Sequence, residues 1–237
     1  KYRGKINMKT QTKPLVIREG RTELDTTFNG KTLTFVASSY GPNTYLGVKE
    51  AIEQDGYKTP TMAENASLVH TAFNSDDKYS NGIKGIMKDR WLWSFTGNLY
   101  LPNKGVYIQD NPEIRDGRVI MDESDLVKKL ESKDPSVRFV PFGFETESMS
   151  PMQLAKNAYV IGLAGEEGAD KLAEVADEFK QKPYLWSFKS VNEPTTRVSA
   201  LDSDWGLGHW LDVNGSDGGV SWDGHAFGVR DVGAKKS

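Results

Sequence analysis

The chain has 237 residues, of which 37% are hydrophobic and 27% charged, with a net charge of -3 and a pI near 5.7. That length fits one large domain or two small ones and suffices for a core without staples. Mean hydropathy of -0.56 without a long apolar run excludes a membrane-spanning helix, and the acidic balance gives no nucleic-acid footprint.

The absence of cysteine excludes disulfides, thiolate zinc sites, iron–sulfur clusters and cysteine nucleophiles. The three histidines, His70, His209 and His225, offer no pair at metal-ligand spacing. Lys1 to Pro14 is basic and polar and lacks the apolar stretch of a signal peptide, and Met8 reads as a natural start. The first dozen residues are expected to be loose.

In chain order, Lys31 to Val36 alternates polar and apolar residues and predicts a strand. Asn43 to Gln54 carries Tyr45, Leu46, Val48 and Ile52 at helical period, and Lys58-Thr59-Pro60 ends that unit. Thr61 and Glu64 stand at capping-box spacing and open a second helix through Ala66, Leu68, Val69 and Phe73. A third helix, around Ser80 to Asp89, sets Ile83, Ile86 and Met87 on one face. Trp91 to Leu101 and Gly105 to Gln109 flank the turn Pro102-Asn103-Lys104 and predict a hairpin. Asp122 or Ser124 caps a helix to Leu130, and Val137 to Val140 is a short strand. Ser150-Pro151 is an N-cap followed by proline at the first helical position. The clearest helix runs from Gly165 to Phe179, with Glu166 and Glu167 at the positive end of its dipole. Pro183 to Phe188 predicts a strand. No repeat, low-complexity tract or linker interrupts the chain, so the expectation is one α+β domain over residues 1–237.

The tail differs in composition. Residues 194–234 hold no Lys, Glu, Gln or Met, although these four types make up 47 of the 237 residues and roughly eight would be expected there. The same stretch holds three of the six tryptophans, Trp205, Trp210 and Trp222. Small and polar residues alternate with apolar anchors at Val198, Leu201, Leu207, Leu211, Val213, Ala226, Phe227 and Val229. A Gly/Asp-rich loop leading into a core strand is the plain reading. A recognition surface is the sharper one, because aromatic, Ser, Gly, Asn, Asp and His residues give contact area and adaptable hydrogen bonds at low entropic cost.

Three segments of the tail carry a resemblance: Arg197 to Leu201, Trp205 to Val213 (WGLGHWLDV) and Trp222 to Arg230 (WDGHAFGVR). Together they resemble the variable region of diversity-generating-retroelement target proteins, most closely the archaeal and archaeal-virus type. In that family a reverse transcriptase copies a template repeat with its adenines randomised and replaces the variable region. The resemblance implies a C-type lectin-like fold, related to formylglycine-generating enzymes, with the variable region at residues 197–230. It implies binding of a protein or surface ligand, as in host or receptor attachment, without catalysis, cofactor or metal. Randomised AAY codons cannot yield Lys, Glu, Gln, Met or Trp, and the first four are the types missing here. The tryptophans then read as fixed scaffold or as products of other adenine-containing codons. Positions fitting the diversified pattern are Asp202, Ser203, Asp204, Gly206, Gly208, His209, Asp212, Asn214, Ser216, Asp217, Gly219, Ser221 and Asp223. They are expected to share one exposed face, while Phe227 and Val229 of a closing strand turn into the core. Each also has a plain reading as a turn residue. His225 and His70 read as structural.

The alternative is a calcium-dependent carbohydrate-binding lectin-like domain, whose relatives present a Glu-Pro-Asn or Gln-Pro-Asp loop with oxygens on Ca²⁺, but here Asn192-Glu193-Pro194 is followed by Thr195 and the motif is broken. Enzyme readings lack a nucleophile with a partnering base, and Gly162-Leu-Ala-Gly165 is not a complete phosphate loop. Location is left open between virion, cell surface and cytoplasm, with the lack of a visible secretion signal leaning toward a virion component or a protein displayed by an assembly partner, and oligomeric state stays open.

Overall fold

The computed structural model describes residues 16–18, 21–203 and 209–230. The N-terminal dozen residues lie outside this range. The chain opens with β1 (Val16–Arg18), β2 (Arg21–Phe28), β3 (Lys31–Val36) and β4 (Tyr40–Asn43). Three helices follow, α1 (Tyr45–Gln54), α2 (Met62–Phe73) and α3 (Lys78–Asp89). Next come the hairpin β5 (Trp91–Leu101) and β6 (Gly105–Asp110), then the short pair β7 (Glu113–Arg115) and β8 (Arg118–Ile120). After α4 (Glu123–Glu131), β9 (Val137–Pro141) and β10 (Glu147–Ser148) lead into α5 (Pro151–Lys156) and α6 (Ala158–Ala176). The chain finishes with β11 (Tyr184–Trp186), β12 (Thr195–Ser203), β13 (Leu211–Asp217), β14 (Gly224–Ala226) and β15 (Val229–Arg230). The fold class is α+β.

Local chemistry explains most boundaries. The Thr61 hydroxyl accepts the Glu64 amide at 3.3 Å while the Glu64 carboxylate accepts the Thr61 amide at 2.7 Å, completing the capping box of α2. Asp77, Asp122 and Ser150 cap α3, α4 and α5 in the same way. Asn103 adopts φ of 58° in the β5–β6 turn. The Gly165 helix starts earlier than expected. Asn157 accepts the amides of Tyr159 and Val160 and opens α6 at Ala158, and Gly165 (φ 71°, ψ 169°) breaks it into two helical segments. The expected start was therefore the second segment.

The large sheet runs β10-β11-β13-β12-β5-β14-β4, with β6 and β9 continuing from β5. On one face, Leu92, Leu185, Leu201, Leu211 and Val213 pack with residues of α2, α3 and α6. On the other, Trp93, Phe95, Val198 and Ala200 pack with Tyr45, Val48 and Ile52 of α1. A smaller sheet, β1-β2-β3-β15, joins the two ends of the chain, with Val229 opposite Phe35. Phe227 and Val229 are both buried in the main core as expected, but the expected closing strand is split into β14 and β15 and residues 226–229 are all buried, so packing on both sides rather than alternation buries them. Among the described residues, no helix is long and apolar enough to cross a membrane.

Polar groups inside this core form one cluster. The Tyr100 hydroxyl lies 2.6 Å from that of Tyr159, 2.9 Å from that of Ser187, and donates to the Gly215 carbonyl at 2.9 Å. The Tyr159 hydroxyl donates to the Asn98 side-chain oxygen at 2.9 Å, and the Asn98 amide donates to the Ser199 hydroxyl at 2.8 Å. Burial pushes the Tyr100 phenol up to about 12 and raises that of Tyr159 well above its ordinary value, so both stay neutral donors.

Gly215 is in close approach to this cluster, since a Cβ there would lie 1.8 Å from the Tyr159 hydroxyl oxygen. Gly215→Ala is expected to cost on the order of 1–3 kcal/mol by overpacking, and Tyr159→Phe about 1–3 kcal/mol by leaving buried partners unmet. In urea denaturation the double variant should lose less than the sum, because removing the hydroxyl relieves the clash. Additive losses would show that the two groups do not meet.

Candidate binding site

The tail, expected as a loop array, forms central strands instead. β12 lies between β5 and β13, and β13 between β12 and β11. The register Leu201↔Leu92, Ser203↔Leu211, Tyr184↔Asp212 and Gly224↔Trp91 brings five strand termini to one end of the sheet. This end carries Trp91, Asp202, Ser203, His209, Trp210, Asp212 and Asp223.

Strand alternation decides which residues face which layer. Leu201, Leu211 and Val213 turn toward the helices, and the Ser203 hydroxyl donates to the Met87 carbonyl of α3 at 2.9 Å. Asp202 and Asp212, directly opposite each other, take the other face with Ala200 and Asn214. There the Asp212 carboxylate is held by two tryptophans. The indole N–H groups of Trp186 and Trp210 both donate to its Oδ1 at 2.9 Å. The rings of Tyr184 and Trp186 meet at 4.4 Å. Asp212 is 5% exposed and Trp186 45%, so a buried acid fixes the edge of an exposed ring. Among the described residues, no group of three or more His, Cys, Asp or Glu is placed to hold a metal.

The thirteen predicted positions separate. Asp204, Gly206 and Gly208 lie outside the described residues, as do Trp205 and Leu207. Asp202, Ser203, Asp212 and Asn214 are buried, which corrects the expectation of one exposed face. The physical reason is that a polar residue on a central strand is covered by its neighbours and must bond within the fold. Asn214 accepts the Ser216 amide at 2.9 Å, with the half-buried Ser216 hydroxyl at 3.3 Å. Asp217 accepts the Gly219 amide at 2.6 Å, and burial raises its carboxyl above the ordinary range against the pull of that N–H and of Arg197. Gly219 has φ of 72° and packs against Val198 and Tyr45, so its turn reading prevails. His209 and Asp223 are exposed and Ser221 partly so. His209 sits in the left-handed region with φ of 51°.

The tryptophans divide likewise. Trp222 is 72% exposed and anchors nothing in the core, whereas Trp210 is half-buried against Asp212. Sequence reasoning missed Trp186 and Tyr184 as surface residues. The signal was present as two aromatics spaced by two in a strand, but their face depends on the register with β13. His70 pairs with Glu174 at 2.7 Å, tying α2 to α6. His225 is half-buried on β14, and its Nδ1 has no hydrogen-bond partner.

Asp212→Ala is expected to destabilise by about 0.5–1.5 kcal/mol, because two part-buried indole donors lose their shared acceptor and water can replace it only in part. The combination His209→Asn, Ser221→Ala and Asp223→Asn should shift stability by no more than about 0.5 kcal/mol per site. Denaturant midpoints compare the two. Burial, then the Arg90 charge, lowers the His225 pKa, opposed by Asp223. A depressed imidazole pKa favours the neutral form in the fold, so this contribution is present above the ordinary value of about 6.5 and lost as pH falls through the folded value. Melting temperature should therefore fall from pH 8 to pH 5 by more in the parent than in His225→Gln, and parallel profiles would exclude His225 as a source.

The chain matches no family model, no curated protein and no solved structure.

Proposed function

We propose that this chain is a ligand-binding protein of the diversity-generating-retroelement variable type, displaying its altered residues from a C-type lectin-like scaffold. Its reading is recognition of a protein or surface ligand, as in host or receptor attachment, without catalysis. One observation carries most of the support: the tail supplies both buried strand anchors and an exposed end in a single stretch. Leu201, Leu211, Val213 and Phe227 fill the core, while His209, Trp222 and Asp223 stand out from it. Such an arrangement lets exposed side chains change with little loss of stability. Aromatic and small polar residues beside a fixed scaffold suit adaptable contact.

Calcium-dependent carbohydrate binding draws less support. It lacks a donor set among the described residues, and Asp212 already serves two indoles.

The test is on the DNA. Sequencing the gene's neighbourhood and many copies from one population should find a near-repeat of codons 197–230 beside a reverse-transcriptase gene, differing at adenines. Copies should vary at His209, Ser221 and Asp223 and keep Leu201, Leu211, Val213 and Phe227. A lone gene without such a repeat, and without clustered variation, would overturn the proposal.

A further inference from the structure

Away from the sheet end, β2, β3, α2 and α3 enclose a cavity of about 390 Å³. Its walls are Leu24, Phe35, Leu68, Ile83, Ile86 and Phe227, all apolar and all but Ile86 buried. That volume falls within the roughly 300–1,000 Å³ of small-molecule pockets. The polar lining is confined to the rim, at Ser38, Ser39, Lys78 and Tyr79, of which Ser38 and Lys78 are exposed.

We propose that this cavity binds a medium-chain aliphatic carboxylate, with the alkyl chain along the apolar walls and the head group at Lys78.

Three features select this chemistry. First, the walls offer no charged group and no donor-rich surface, so the buried part of the ligand is hydrocarbon. Second, Lys78 is the one ionic residue in the lining, and its ammonium is in no ion pair among the described residues. The neighbouring Asp77 does not compete for that role. Its carboxylate accepts the amides of Tyr79 and Ser80 at 2.9 and 3.0 Å and the Ser80 hydroxyl at 2.6 Å. Third, the face of α3 that borders the cavity repeats at helical spacing, Lys78 and Tyr79, then Gly82 and Ile83, then Ile86. Gly82 sits mid-helix, where glycine is a poor helix former, and a Cβ there would meet no atom within 4 Å. Gly82 is itself exposed, so the cavity borders solvent there. A carboxylate gains charge-assisted bonding at Lys78, whereas a cationic head group is repelled.

The experiment uses the full chain, with calorimetric titration and thermal shift against decanoate, decanol and decyltrimethylammonium, each below its micelle concentration. Decanoate is expected to bind one to one with a negative heat-capacity change and to raise the melting temperature. Decyltrimethylammonium should bind at least about tenfold more weakly, which at 25 °C corresponds to about 1.4 kcal/mol. Lys78→Gln should weaken decanoate several-fold and leave decanol unchanged. Gly82→Phe, and Ala37→Phe at a second lining position, each set a ring at the cavity and should abolish binding of decanoate and decanol. Gly82→Phe replaces a poor helix former, and its retained melting transition checks folding. No decanoate binding to the parent, or undiminished binding in a folded filled variant, would overturn the site. Equal affinity of the parent and Lys78→Gln for decanoate would overturn the head-group assignment.

Discussion

The buried hydroxyl cluster of Tyr100, Tyr159, Asn98 and Ser199 around the Gly215 carbonyl fixes how the central strands sit against one another and against α6. It links β5, β12, β13 and α6, elements that meet only in the folded molecule. In a low-dielectric interior such groups are costly unless each finds a partner, so the cluster admits one register of β12 against β5 and β13. A slip by one residue would send Asp202 and Asp212 toward the helices and Leu201 and Val213 away from them. The sheet end inherits its order from this constraint. Once β13 is in register, Asp212 comes opposite Tyr184 in β11 and accepts from both Trp186 and Trp210.

The tail is therefore two things in one stretch. Its apolar positions are structural, and so are several of its small polar ones. Asn214 and Asp217 serve backbone turns, and Gly219 supplies a left-handed residue against Tyr45. Among the described residues, the exposed or partly exposed side chains at this end of the sheet are fewer than the composition indicates, namely His209, Ser221, Trp222 and Asp223 with the exposed edge of Trp186. The closing segment then carries the chain back to the first sheet, where β15 pairs with β3. Phe227 belongs to that return and also forms one wall of the apolar cavity, so the cavity and the closing segment of the tail share a residue.

Much of this architecture is legible from residues near each other in the chain. The capping box at Thr61 and Glu64, the turn at Pro102-Asn103-Lys104 and the Ser150-Pro151 start are local bonds, and the structure contains all three. β3 and the β5–β6 hairpin fall where period two predicts them. The apolar spacing of the tail marks its buried anchors correctly at Val198, Leu201, Leu211, Val213, Phe227 and Val229.

Burial of the polar tail residues was a different matter. Asp202, Asp212 and Asn214 look like loop or surface residues in any window of sequence, because small acids and amides are mostly exposed. Their burial comes from β5 and β11, strands whose partners stand about a hundred and about thirty residues away. The sequence by itself determined most of the helices, the caps at Thr61 and Ser150, the hairpin and the apolar anchors, since each depends on contacts within a few residues. The tertiary structure alone decided which described side chains of the tail are buried and which are exposed, that Trp186 stands beside Asp212, and that α3 and β3 leave an apolar cavity. Those outcomes depend on long-range strand pairing and layer packing, which local propensity and period do not encode.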